Sequence, residues 1–485
     1  MRELKHILHG IPVRHIAGAL DIGVSAVCFD SRQAKPGSLF VAVAGTQTDG
    51  HLYIDQAVSR GASAVLCERV PENPDRGVTF IQVDDSAFAL GVSASNFYGN
   101  PSKRLRLVGI TGTNGKTTIA TLLYNLFSKM GYGVGLISTV RNLVGDREVP
   151  ATHTTPDPLT LNHLLHDMVE AGCDFCFMEV SSHAIVQQRI AGLHFAGGIF
   201  SNITHDHLDF HKTFDEYIRA KKMFFDGLDR SAFALSNADD RNGQVMLQNT
   251  FAHRKTYGIR SMADFRAKII ESHFEGMLLY LDGQEIWVKP VGEFNAYNVL
   301  AAYGAAILLE QETMKVLTAL SSVTGAEGRF ETVISPAGVV GIVDYAHTPD
   351  AVRNVLETIQ ALRRDSAQVI TVLGCGGDRD RAKRPKMAAV AVDLSNKVIL
   401  TSDNPRSEDP LQIIREMETG IPDNKRRQVF SIADRREAIR AACHLAQPGD
   451  IVLVAGKGHE KYQEINGQRL AFDDKAVLNE TFNEQ

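Results

Sequence analysis

A chain of 485 residues is too long to fold around one hydrophobic core, and its length is typical of about three domains. Hydrophobic residues make up 44% of it and charged residues 22%, as in an ordinary soluble globular protein. The net charge of -6 argues against a general nucleic-acid-binding protein, because affinity for a phosphate backbone requires an excess of Lys and Arg.

The N-terminal segment MRELKHILHG lacks the apolar core of a signal peptide, and no later stretch approaches the ~18 uninterrupted apolar residues of a membrane-spanning helix. We therefore expect a cytoplasmic protein with neither a membrane nor a nucleic-acid partner. We also expect a monomer. Cys173 and Cys176 have CxxC spacing but lie in an apolar run with no second pair nearby, which favours buried thiols over a zinc or redox site.

Residues 1–98 are predicted to form a small α/β domain. Strands are predicted at 39–45, 64–68 and 79–83, and helices at 52–60 and 85–98. Polar residues cluster at 30–32 and 46–49, next to apolar strands. An α/β domain places ligand contacts at such turns, although solvated loops are a commoner explanation of these residues.

A glycine-rich segment, VGITGTNGKTT at 108–118, follows a predicted linker at 99–104. It lies between a predicted strand at 105–110 and an amphipathic helix. Such a turn offers backbone N–H groups to a phosphate, with a charge from Lys116 and a hydroxyl for Mg²⁺. Only two residues separate Gly112 from Gly115, where the strict motif has four between its glycines. A glycine turn with an exposed lysine is the alternative.

From this segment to about residue 325, strands and helices alternate, which predicts a mostly parallel sheet with both faces covered. The predicted strands are 134–138, 175–180, 197–203 and 232–236, and the predicted helices are 159–170 and 214–225. A second boundary is predicted at GAEGR, residues 325–329. The predicted domains are therefore 1–98, 99–327 and 328–485.

The third domain is predicted to be a Rossmann-like α/β unit. Its predicted strands are 339–343, 369–373, 398–401 and 451–455, and its predicted helices include 351–363 and 435–446. Polar or glycine-rich turns follow these strands at 344–347, 374–381, 402–406 and 456–460. Because ligands gather at the carboxyl ends of parallel strands, the turns indicate a pocket.

Candidate metal ligands follow two central strands. Glu179 ends one strand, where a carboxylate can hold Mg²⁺, although a capping or salt-bridging Glu is the alternative. The segment HDHLDFH, 205–211, has the HxHxD spacing of a dinuclear metallohydrolase, but Phe210 stands where a ligating histidine is usual. We favour one histidine beside a Mg²⁺ site, with His205 and His211 at the surface. Lys221, on the next helix, would from chemistry alone be solvated or in a surface ion pair.

A set of motifs occurs in order along the whole chain: GTNGKTT, EVSSHA, NITHDHLDFH, the pair Ala220 and Lys221, GEFNAYN, GRFE, VDYAHTPD and DNPR. With these motifs the chain resembles the Mur ligase family. The resemblance implies a central ATP-binding domain, an N-terminal domain for the uridine end of a nucleotide sugar, and a C-terminal domain for an incoming amino acid.

The resemblance also implies roles for individual residues. The nucleotide-sugar substrate would meet Phe29, Ser31, Thr46, Gln47, Thr48, Thr154, Thr155, Ser181, Gln187 and Arg189. ATP would meet Gly112, Thr113, Asn114, Gly115, Lys116, Thr117, Thr118, Asn295, Arg329 and Asp344. Catalysis would involve Lys116, Glu179, His207 and Lys221, and Mg²⁺ would be held by Thr117, Glu179, His207 and Lys221. Lys221 matches the lysine that the family carbamylates, and a carbamate turns a cation into an anionic oxygen ligand.

The amino acid implied by the resemblance is meso-diaminopimelate. It would meet Arg379, Asp403, Asn404, Pro405, Arg406, Gly456 and Glu460. Arg406 can bind a carboxylate through two parallel hydrogen bonds, and lysine-using relatives replace it because lysine lacks the distal carboxylate. A surface turn residue is the alternative for Arg406. Departures from the family pattern are small: Phe29 replaces a smaller aliphatic residue and His205 replaces a frequent arginine.

The implied activity is an ATP-dependent ligase of peptidoglycan precursor synthesis. It would phosphorylate the D-glutamyl side-chain carboxylate of UDP-N-acetylmuramoyl-L-alanyl-D-glutamate, and diaminopimelate would displace phosphate from the acyl phosphate. The alternatives are the same reaction with L-lysine, a folylpolyglutamate synthase-like ligase, a metallohydrolase and a non-catalytic UDP-sugar-binding protein.

Overall fold

The computed structural model describes residues 1–45, 48–151, 153–204 and 208–484, which divide into two compact units. Unit 1 comprises Met1–Gly112, Phe127–Phe200 and Asp215–Thr256, and unit 2 comprises Thr113–Leu126, Ser201–Phe214 and Tyr257–Gln485. Because each unit combines segments distant in sequence, this division does not test the predicted domain boundaries, which stay predictions.

The N-terminal part of unit 1 contains a five-stranded sheet. From edge to edge its strands are Val13–Ala17, Thr79–Val83, Ala62–Cys67, Ser38–Val41 and Ala26–Cys28. The first pair is antiparallel and the others are parallel. Arg2–Glu3 and Gly23–Val24 form a separate antiparallel pair. The helices are Leu4–Ile7, Ile54–Ser59 and Ser86–Phe97, and 3-10 turns cover Ser31–Gln33, Gly50–Tyr53 and Pro101–Lys103.

The three predicted N-terminal strands are confirmed to within a few residues. The strand Val13–Ala17 was not predicted. Exposed and half-buried residues do not alternate along it, so its sequence lacks the pattern of a half-buried strand. The predicted linker at 99–104 is a 3-10 turn in which Pro101 and Ser102 are buried. Ser102 accepts a hydrogen bond from the His194 N–H at 3.0 Å, so this stretch is packed within unit 1.

The central part of unit 1 contains five neighbouring parallel strands, as predicted. In spatial order they are Val134–Ile137, Phe175–Glu179, Arg106–Thr111, Gly197–Phe200 and Phe233–Asn237. Asn142–Val144 and Arg147–Val149 continue the first edge in antiparallel pairing. The helices are Pro158–Glu170, Ser182–Val186, Phe214–Asp226 and Gly243–Met246, and the strand His253–Gly258 follows. Phe175–Glu179 is buried throughout, which explains its continuous apolar sequence.

Unit 2 contains an antiparallel meander that the predicted strand-helix alternation did not include. Its strands are Phe265–His273, Gly276–Leu281 and Gln284–Val288. Asp282 and Gly283 both have positive φ in the second turn, as a tight two-residue hairpin requires. The helices Lys116–Lys129, Leu208–His211, Glu293–Leu308 and Thr313–Leu320 also belong wholly or partly to this unit.

The C-terminal part of unit 2 contains a six-stranded sheet. Its strands, in spatial order, are Glu331–Ile334, Val340–Asp344, Ile451–Ala455, Val369–Cys375, Lys397–Ser402 and Val429–Ser431. Only the first is antiparallel to its neighbour. The helices are Pro349–Leu362, Lys383–Leu394, Pro410–Glu418, Arg435–Leu445 and Asp474–Asn483, a 3-10 turn covers Asp423–Gln428, and Tyr462–Ile465 pairs with Gln468–Ala471.

Both faces of this sheet are covered, as predicted for a parallel sheet. Leu453 lies in one hydrophobic cluster, while its neighbours Val452 and Val454 lie in another. The four strands that precede the predicted pocket turns are parallel neighbours. Their carboxyl ends therefore lie along one edge, which places the turns side by side.

Several helices begin with a side-chain cap followed by proline. Asp157, Thr348 and Asp409 each accept a hydrogen bond from the helix that starts at the next residue, which is a proline in all three cases. Proline suits this position because the first N–H groups of a helix have no partner within it. The first of these helices begins one residue before its predicted start at 159. The second begins two residues before its predicted start at 351.

All six cysteines are buried and free, which confirms the prediction for Cys173 and Cys176. In the described ranges, no helix combines the length and apolar character needed to cross a bilayer.

A buried ion pair attaches the last helix to the C-terminal sheet. Arg435 and Asp474 are both almost fully buried, and two hydrogen bonds of 2.7 Å join them. The Arg435 guanidinium also donates to the carbonyl oxygens of Ser402, at 3.4 Å, and Ala455, at 3.1 Å. These carbonyls end the two strands that lead into pocket turns, so Arg435 ties those strand ends together.

We expect Arg435→Met to destabilise the protein strongly, because it leaves the Asp474 carboxylate buried without a counter-charge. Loss of one partner of a buried pair costs about 3–5 kcal/mol. Thermal unfolding followed by circular dichroism measures the effect. The control is Arg436→Met on the same helix, which removes an exposed ion pair with Glu480 and should leave the melting temperature almost unchanged. Equal melting temperatures for the two variants would contradict the role of Arg435.

Candidate functional site

The glycine-rich segment joins the buried strand Arg106–Thr111 to the helix Lys116–Lys129, as predicted. Gly112 and Gly115 have φ of 151° and 87°, which disfavour any side chain. A Cβ added at Gly115 would lie 2.5 Å from Asn298 Oδ1. The backbone is therefore free to approach a phosphate only because these positions are glycine.

Two residues that the sequence analysis missed hold this loop in shape. The Asn202 carbonyl accepts from the Thr113 N–H at 2.8 Å, and Asn202 Oδ1 accepts from the Asn114 N–H at 3.0 Å. Ser201 Oγ donates to the Asn114 carbonyl at 2.6 Å. The available signal was a Ser-Asn pair directly after a buried apolar strand. Lys116 Nζ donates to the Thr113 carbonyl at 2.8 Å, so the ammonium lies over the loop and is not an exposed lysine on a plain turn.

Predicted nucleotide residues from the C-terminal segment also reach this loop within unit 2. Arg329 Nη2 donates to Thr117 Oγ1 at 3.3 Å. Its guanidinium lies 4.5 Å from the centroid of the Tyr345 ring, a cation–π arrangement. Asp350, which was not among the predicted site residues, accepts from Asn114 Nδ2 at 3.0 Å.

Asp344 orients the turn that carries Arg329. Its two carboxylate oxygens accept from the N–H groups of Phe330 and Ala346, both at 2.7 Å. Burial raises the pKa of Asp344 above its ordinary value. Asn295 is buried in the first turn of its helix, and its Oδ1 accepts from Asn298 Nδ2 at 2.9 Å. Asn298 is thereby held against Gly115.

Glu179 is the last residue of its strand and pairs in register with Ile110, just before the glycine-rich loop begins. It is 1% exposed, and its Oε1 accepts from the Thr139 N–H at 2.7 Å. This bond fixes a carboxylate at the carboxyl edge of the central sheet. The arrangement is compatible with both predicted roles, capping and metal binding.

Lys221 is buried, so the solvated or surface-paired alternative is wrong. Its side chain is 1% exposed, and its Nζ donates to the carbonyl oxygen of Gly112 at 2.9 Å. The Nζ also lies 4.6 Å from the centroid of the Tyr217 ring. The helix Phe214–Asp226 thus directs this lysine inward, to the first glycine of the loop.

His211 is also buried, at 5% exposure, and its predicted surface position is wrong. Its ring packs edge-to-face with Phe210, with the centroids 4.9 Å apart. His205 and His207 lie outside the described residues. Within the ranges that the structure describes, no group of three or more His, Cys, Asp or Glu side chains is arranged to hold a metal ion.

The residues predicted for the peptide arm form one hydrogen-bonded cluster in unit 1. Thr155 Oγ1 donates to the Glu179 carbonyl at 2.8 Å and accepts from the Ser181 N–H at 3.1 Å. Arg189 donates to the Thr155 carbonyl at 2.8 Å and, through two nitrogens, to Gln187 Oε1. Burial lowers the pKa of Arg189, whose guanidinium still carries its charge at neutral pH. Thr154 is joined to this region by a 3.0 Å contact between its Oγ1 and that of Thr139.

The residues predicted for the uridine end are only partly described. Ser31 is buried, and its Oγ donates to Gln56 Oε1 at 2.6 Å, so a solvated loop does not describe it. Phe29 is 38% exposed beside it in sequence. The carbonyl of Thr48 accepts from the Gly45 N–H at 3.1 Å. Thr46 and Gln47 lie outside the described residues.

The residues predicted for the amino acid come together at the carboxyl edge of the C-terminal sheet. Asn404 Nδ2 donates to Glu460 Oε2 at 2.7 Å. A Cβ added at Gly456, which has φ of 119°, would lie 2.5 Å from Asp403 Oδ2. Three of the predicted turns therefore contact one another here. The turns at 402–406 and 456–460 meet through Asn404 and Glu460, and Arg406 reaches the turn at 374–381.

Arg406 is half-buried and has φ of 51°, and its Nη1 donates to the Gly377 carbonyl at 2.6 Å. A Cβ added at Gly376 would lie 3.0 Å from Arg406 Nη1 and 3.8 Å from Arg379 Cγ. Both arginine side chains therefore lie close to Gly376, and Pro405 belongs to the same turn as Arg406. A plain surface turn does not describe Arg406.

Arg384 supports this edge and was missed by the sequence analysis. Its guanidinium is fully buried and donates to Glu408 at 2.8 and 3.0 Å and to Glu416 at 2.6 Å. Hydrogen bonding to Arg384 lowers the pKa of Glu408 to about 2. Glu408 Oε1 in turn accepts from the Asp378 N–H at 2.7 Å, which anchors the turn that carries Arg379. In sequence, GDRDRAKR is typical of a solvated charged turn.

The chain matches family models along most of its length. They are "Mur ligase family, catalytic domain" at residues 23–98, "Mur ligase middle domain" at 110–306, and "Mur ligase, glutamate ligase domain" at 328–458. Each match falls inside one of the three predicted domains.

Curated relatives and solved structures agree with these matches. A Cytophaga hutchinsonii protein named UDP-N-acetylmuramoyl-L-alanyl-D-glutamate--2,6-diaminopimelate ligase is 55% identical over 479 residues, covering 99% of this chain and 98% of the relative. A solved structure of a ligase with the same name has a TM-score of 0.71 at 33% identity, covering 100% of this chain and 99% of that one. A Mycobacterium tuberculosis folylpolyglutamate synthase, with a TM-score of 0.61 at 15% identity, covers 77% of this chain and 93% of its own, and shares the fold.

These findings confirm the α/β fold class inferred from the motifs. Three family models, a relative more than half identical over nearly the whole chain, and a similar full-length structure agree with one another. The chain belongs to the Mur ligase family.

Proposed function

We propose that this protein is an ATP-dependent ligase that joins meso-diaminopimelate to the D-glutamyl side-chain carboxylate of UDP-N-acetylmuramoyl-L-alanyl-D-glutamate, in peptidoglycan precursor synthesis. One observation carries the proposal: residues 113–118 of the glycine-rich segment and the amino-acid cluster lie in unit 2 and are linked through two side chains. Arg329 contacts Thr117 and the Tyr345 ring, and Tyr345 Oη lies 3.5 Å from Glu460 Oε1. Full-length relatives that are named as ligases of these two substrates support the same assignment.

The reaction proceeds in two steps. The D-glutamyl carboxylate oxygen attacks the γ-phosphorus of ATP, ADP leaves, and an acyl phosphate forms. The free amine of diaminopimelate then attacks the acyl carbon, the C–O bond to phosphate breaks, and the amine loses a proton as the amide forms. Lys116 and the loop N–H groups stabilise the charge that develops in the first step, and no protein nucleophile is needed.

Mg²⁺ prefers hard oxygen ligands, and two residues of the predicted set carry them: Glu179 has a buried carboxylate and Thr117 has a hydroxyl. Bound Mg²⁺ would neutralise phosphate charge. The predicted set also includes Lys221 as a carbamate and His207, which lies outside the described residues.

Arg406 gives the proposal its specificity for diaminopimelate. Its guanidinium, with the Arg379 side chain also close to Gly376, suits the distal carboxylate that lysine lacks. The amide of Asn404 and the carboxylate of Glu460 suit the ammonium and carboxylate at one end of the amino acid. A folylpolyglutamate synthase activity is disfavoured. The relatives named as 2,6-diaminopimelate ligases match this chain over nearly its whole length, including the N-terminal residues.

ADP release, measured with the UDP-substrate and either diaminopimelate or lysine, tests the assignment of Arg406. We expect wild-type protein to turn over diaminopimelate far better than lysine. Arg406→Ala should lower kcat/KM for diaminopimelate by about 100-fold, because a charge-assisted two-bond pair contributes ~3 kcal/mol. The control is Arg415→Ala, which removes an exposed arginine from a helix packed on the C-terminal sheet. This variant should have the kcat/KM of wild type. Equal wild-type turnover of the two amino acids would refute the assignment.

Carbamylation of Lys221 is tested by ¹³C NMR of the protein in ¹³C-bicarbonate. We expect a carbamate resonance, because a buried amine beside the Gly112 carbonyl can react with CO₂ and keep one N–H for that carbonyl. Lys221→Ala should lose the resonance. Lys222→Ala is the matched control: Lys222, the next residue, pairs with Asp226 at 2.6 Å, and its loss should leave the resonance unchanged. A spectrum of Lys221→Ala identical to wild type would rule out the modification at Lys221.

A further inference from the structure

The amino-acid cluster contains a buried lysine that takes no part in the proposed reaction. Lys457 follows Gly456 in the turn after the strand Ile451–Ala455, and its side chain is 0% exposed. A buried ammonium is strongly unfavourable unless charged or polar partners replace its water. Its partners therefore indicate what keeps it there.

Those partners are two residues proposed to meet the amino acid. Lys457 Nζ donates to Asn404 Oδ1 at 3.0 Å and to Glu460 Oε2 at 3.2 Å. Asn404 Nδ2 donates to the same Glu460 oxygen at 2.7 Å. Lys457, Asn404 and Glu460 thus form a closed triangle of hydrogen bonds that joins two turns of the sheet edge.

The triangle fixes which way the Asn404 amide points. Asn404 Oδ1 accepts from Lys457 Nζ and also from the Glu464 N–H at 2.9 Å. Both donors require an oxygen at that position, so the NH₂ group must face Glu460. The ammonium also balances the Glu460 carboxylate, whose side chain is only 16% exposed, and fixes its Oε2. The other oxygen, Oε1, lies on the side of Tyr345.

We infer that Lys457 is a positioning residue for the incoming amino acid, acting through Asn404 and Glu460 and not by contact with the reacting atoms. The inference rests on the proposed function, because it requires these two residues to bind diaminopimelate. Its physical content is preorganisation: the ammonium holds an amide and a carboxylate in one geometry before the substrate arrives.

The test compares steady-state kinetics of wild type and Lys457→Met, which keeps much of the buried aliphatic stem and removes the charge. We expect the KM for diaminopimelate to rise by about 10- to 100-fold, because lost preorganisation weakens binding. The KM values for ATP and the UDP-substrate should stay within about twofold, and kcat should change far less than the diaminopimelate KM. Lys461→Met, an exposed lysine four residues along that pairs with Glu327 at 2.8 Å, is the matched control and should leave all KM values unchanged.

A double-variant comparison covers the case in which Lys457→Met does not fold. In Glu460→Gln the carboxylate that Lys457 balances is absent, so removing both charges avoids an unpaired buried carboxylate. We expect Lys457→Met to raise the diaminopimelate KM by less than about threefold in that background, because residues that act as a unit are not additive. A further tenfold rise would mean that Lys457 does not act through Glu460, and it would overturn the inference that the three residues position the amino acid as one unit.

Wild-type activity separates this inference from the proposed function. If wild-type protein releases no ADP with diaminopimelate and the UDP-substrate, the proposed function fails. If wild type is active but Lys457→Met keeps the wild-type KM for diaminopimelate, or raises the KM for ATP equally, the proposed function stands and the positioning role of Lys457 is wrong.

Discussion

The contact of Arg329 with the glycine-rich loop is the interaction on which the rest of this account depends. The guanidinium donates to Thr117 and lies over the Tyr345 ring, which itself borders Glu460. Asp344 holds the turn that carries Arg329 through the Phe330 N–H, and its other carboxylate oxygen accepts from the Ala346 N–H in its own turn. A residue from the C-terminal segment thereby meets the loop proposed to bind phosphate. Together with the bond from Asn114 to Asp350, this contact joins the C-terminal segment to the loop.

Buried cations organise the two sheet edges. Lys221, Arg384, Arg435 and Lys457 are each at most 1% exposed. Each donates to carbonyl or carboxylate oxygens at the end of a strand or in the turn that follows it. Parallel strands leave such carbonyls at their carboxyl ends, where a long cationic side chain can join neighbouring turns. The sites are thus assembled by charges that have little or no access to water.

The sequence predicted the parallel sheets and the phosphate loop because those features depend on local patterns. Phe175–Glu179 and Ile451–Ala455 are buried apolar runs, and Gly112 and Gly115 need a backbone that other residues avoid. The four strands that precede the pocket turns are neighbours in the C-terminal sheet, so these turns lie along one edge. The polar and glycine-rich residues of the turns had indicated such a pocket.

Predictions failed where tertiary contacts decide the environment of a side chain. Lys221 and His211 have the sequence context of surface residues, yet the helices that carry them turn both inward. Arg384 was not predicted because its carboxylate partners, Glu408 and Glu416, lie far along the chain. Lys457 pairs with Glu460 three residues away, but its other partner, Asn404, is distant in sequence. The Asp-Gly pair at 282–283, in contrast, is typical of a tight hairpin turn. The hairpin was not predicted because this region was assigned to alternating strands and helices.

The central claim is that a carboxylate is activated by phosphorylation before an amine displaces phosphate. It is tested most directly with UDP-substrate that carries ¹⁸O in both oxygens of the D-glutamyl side-chain carboxylate, followed by mass analysis of the phosphate released during turnover with ATP and diaminopimelate. We expect one ¹⁸O atom in each phosphate, because the C–O bond breaks in the second step. Released phosphate without ¹⁸O would contradict it.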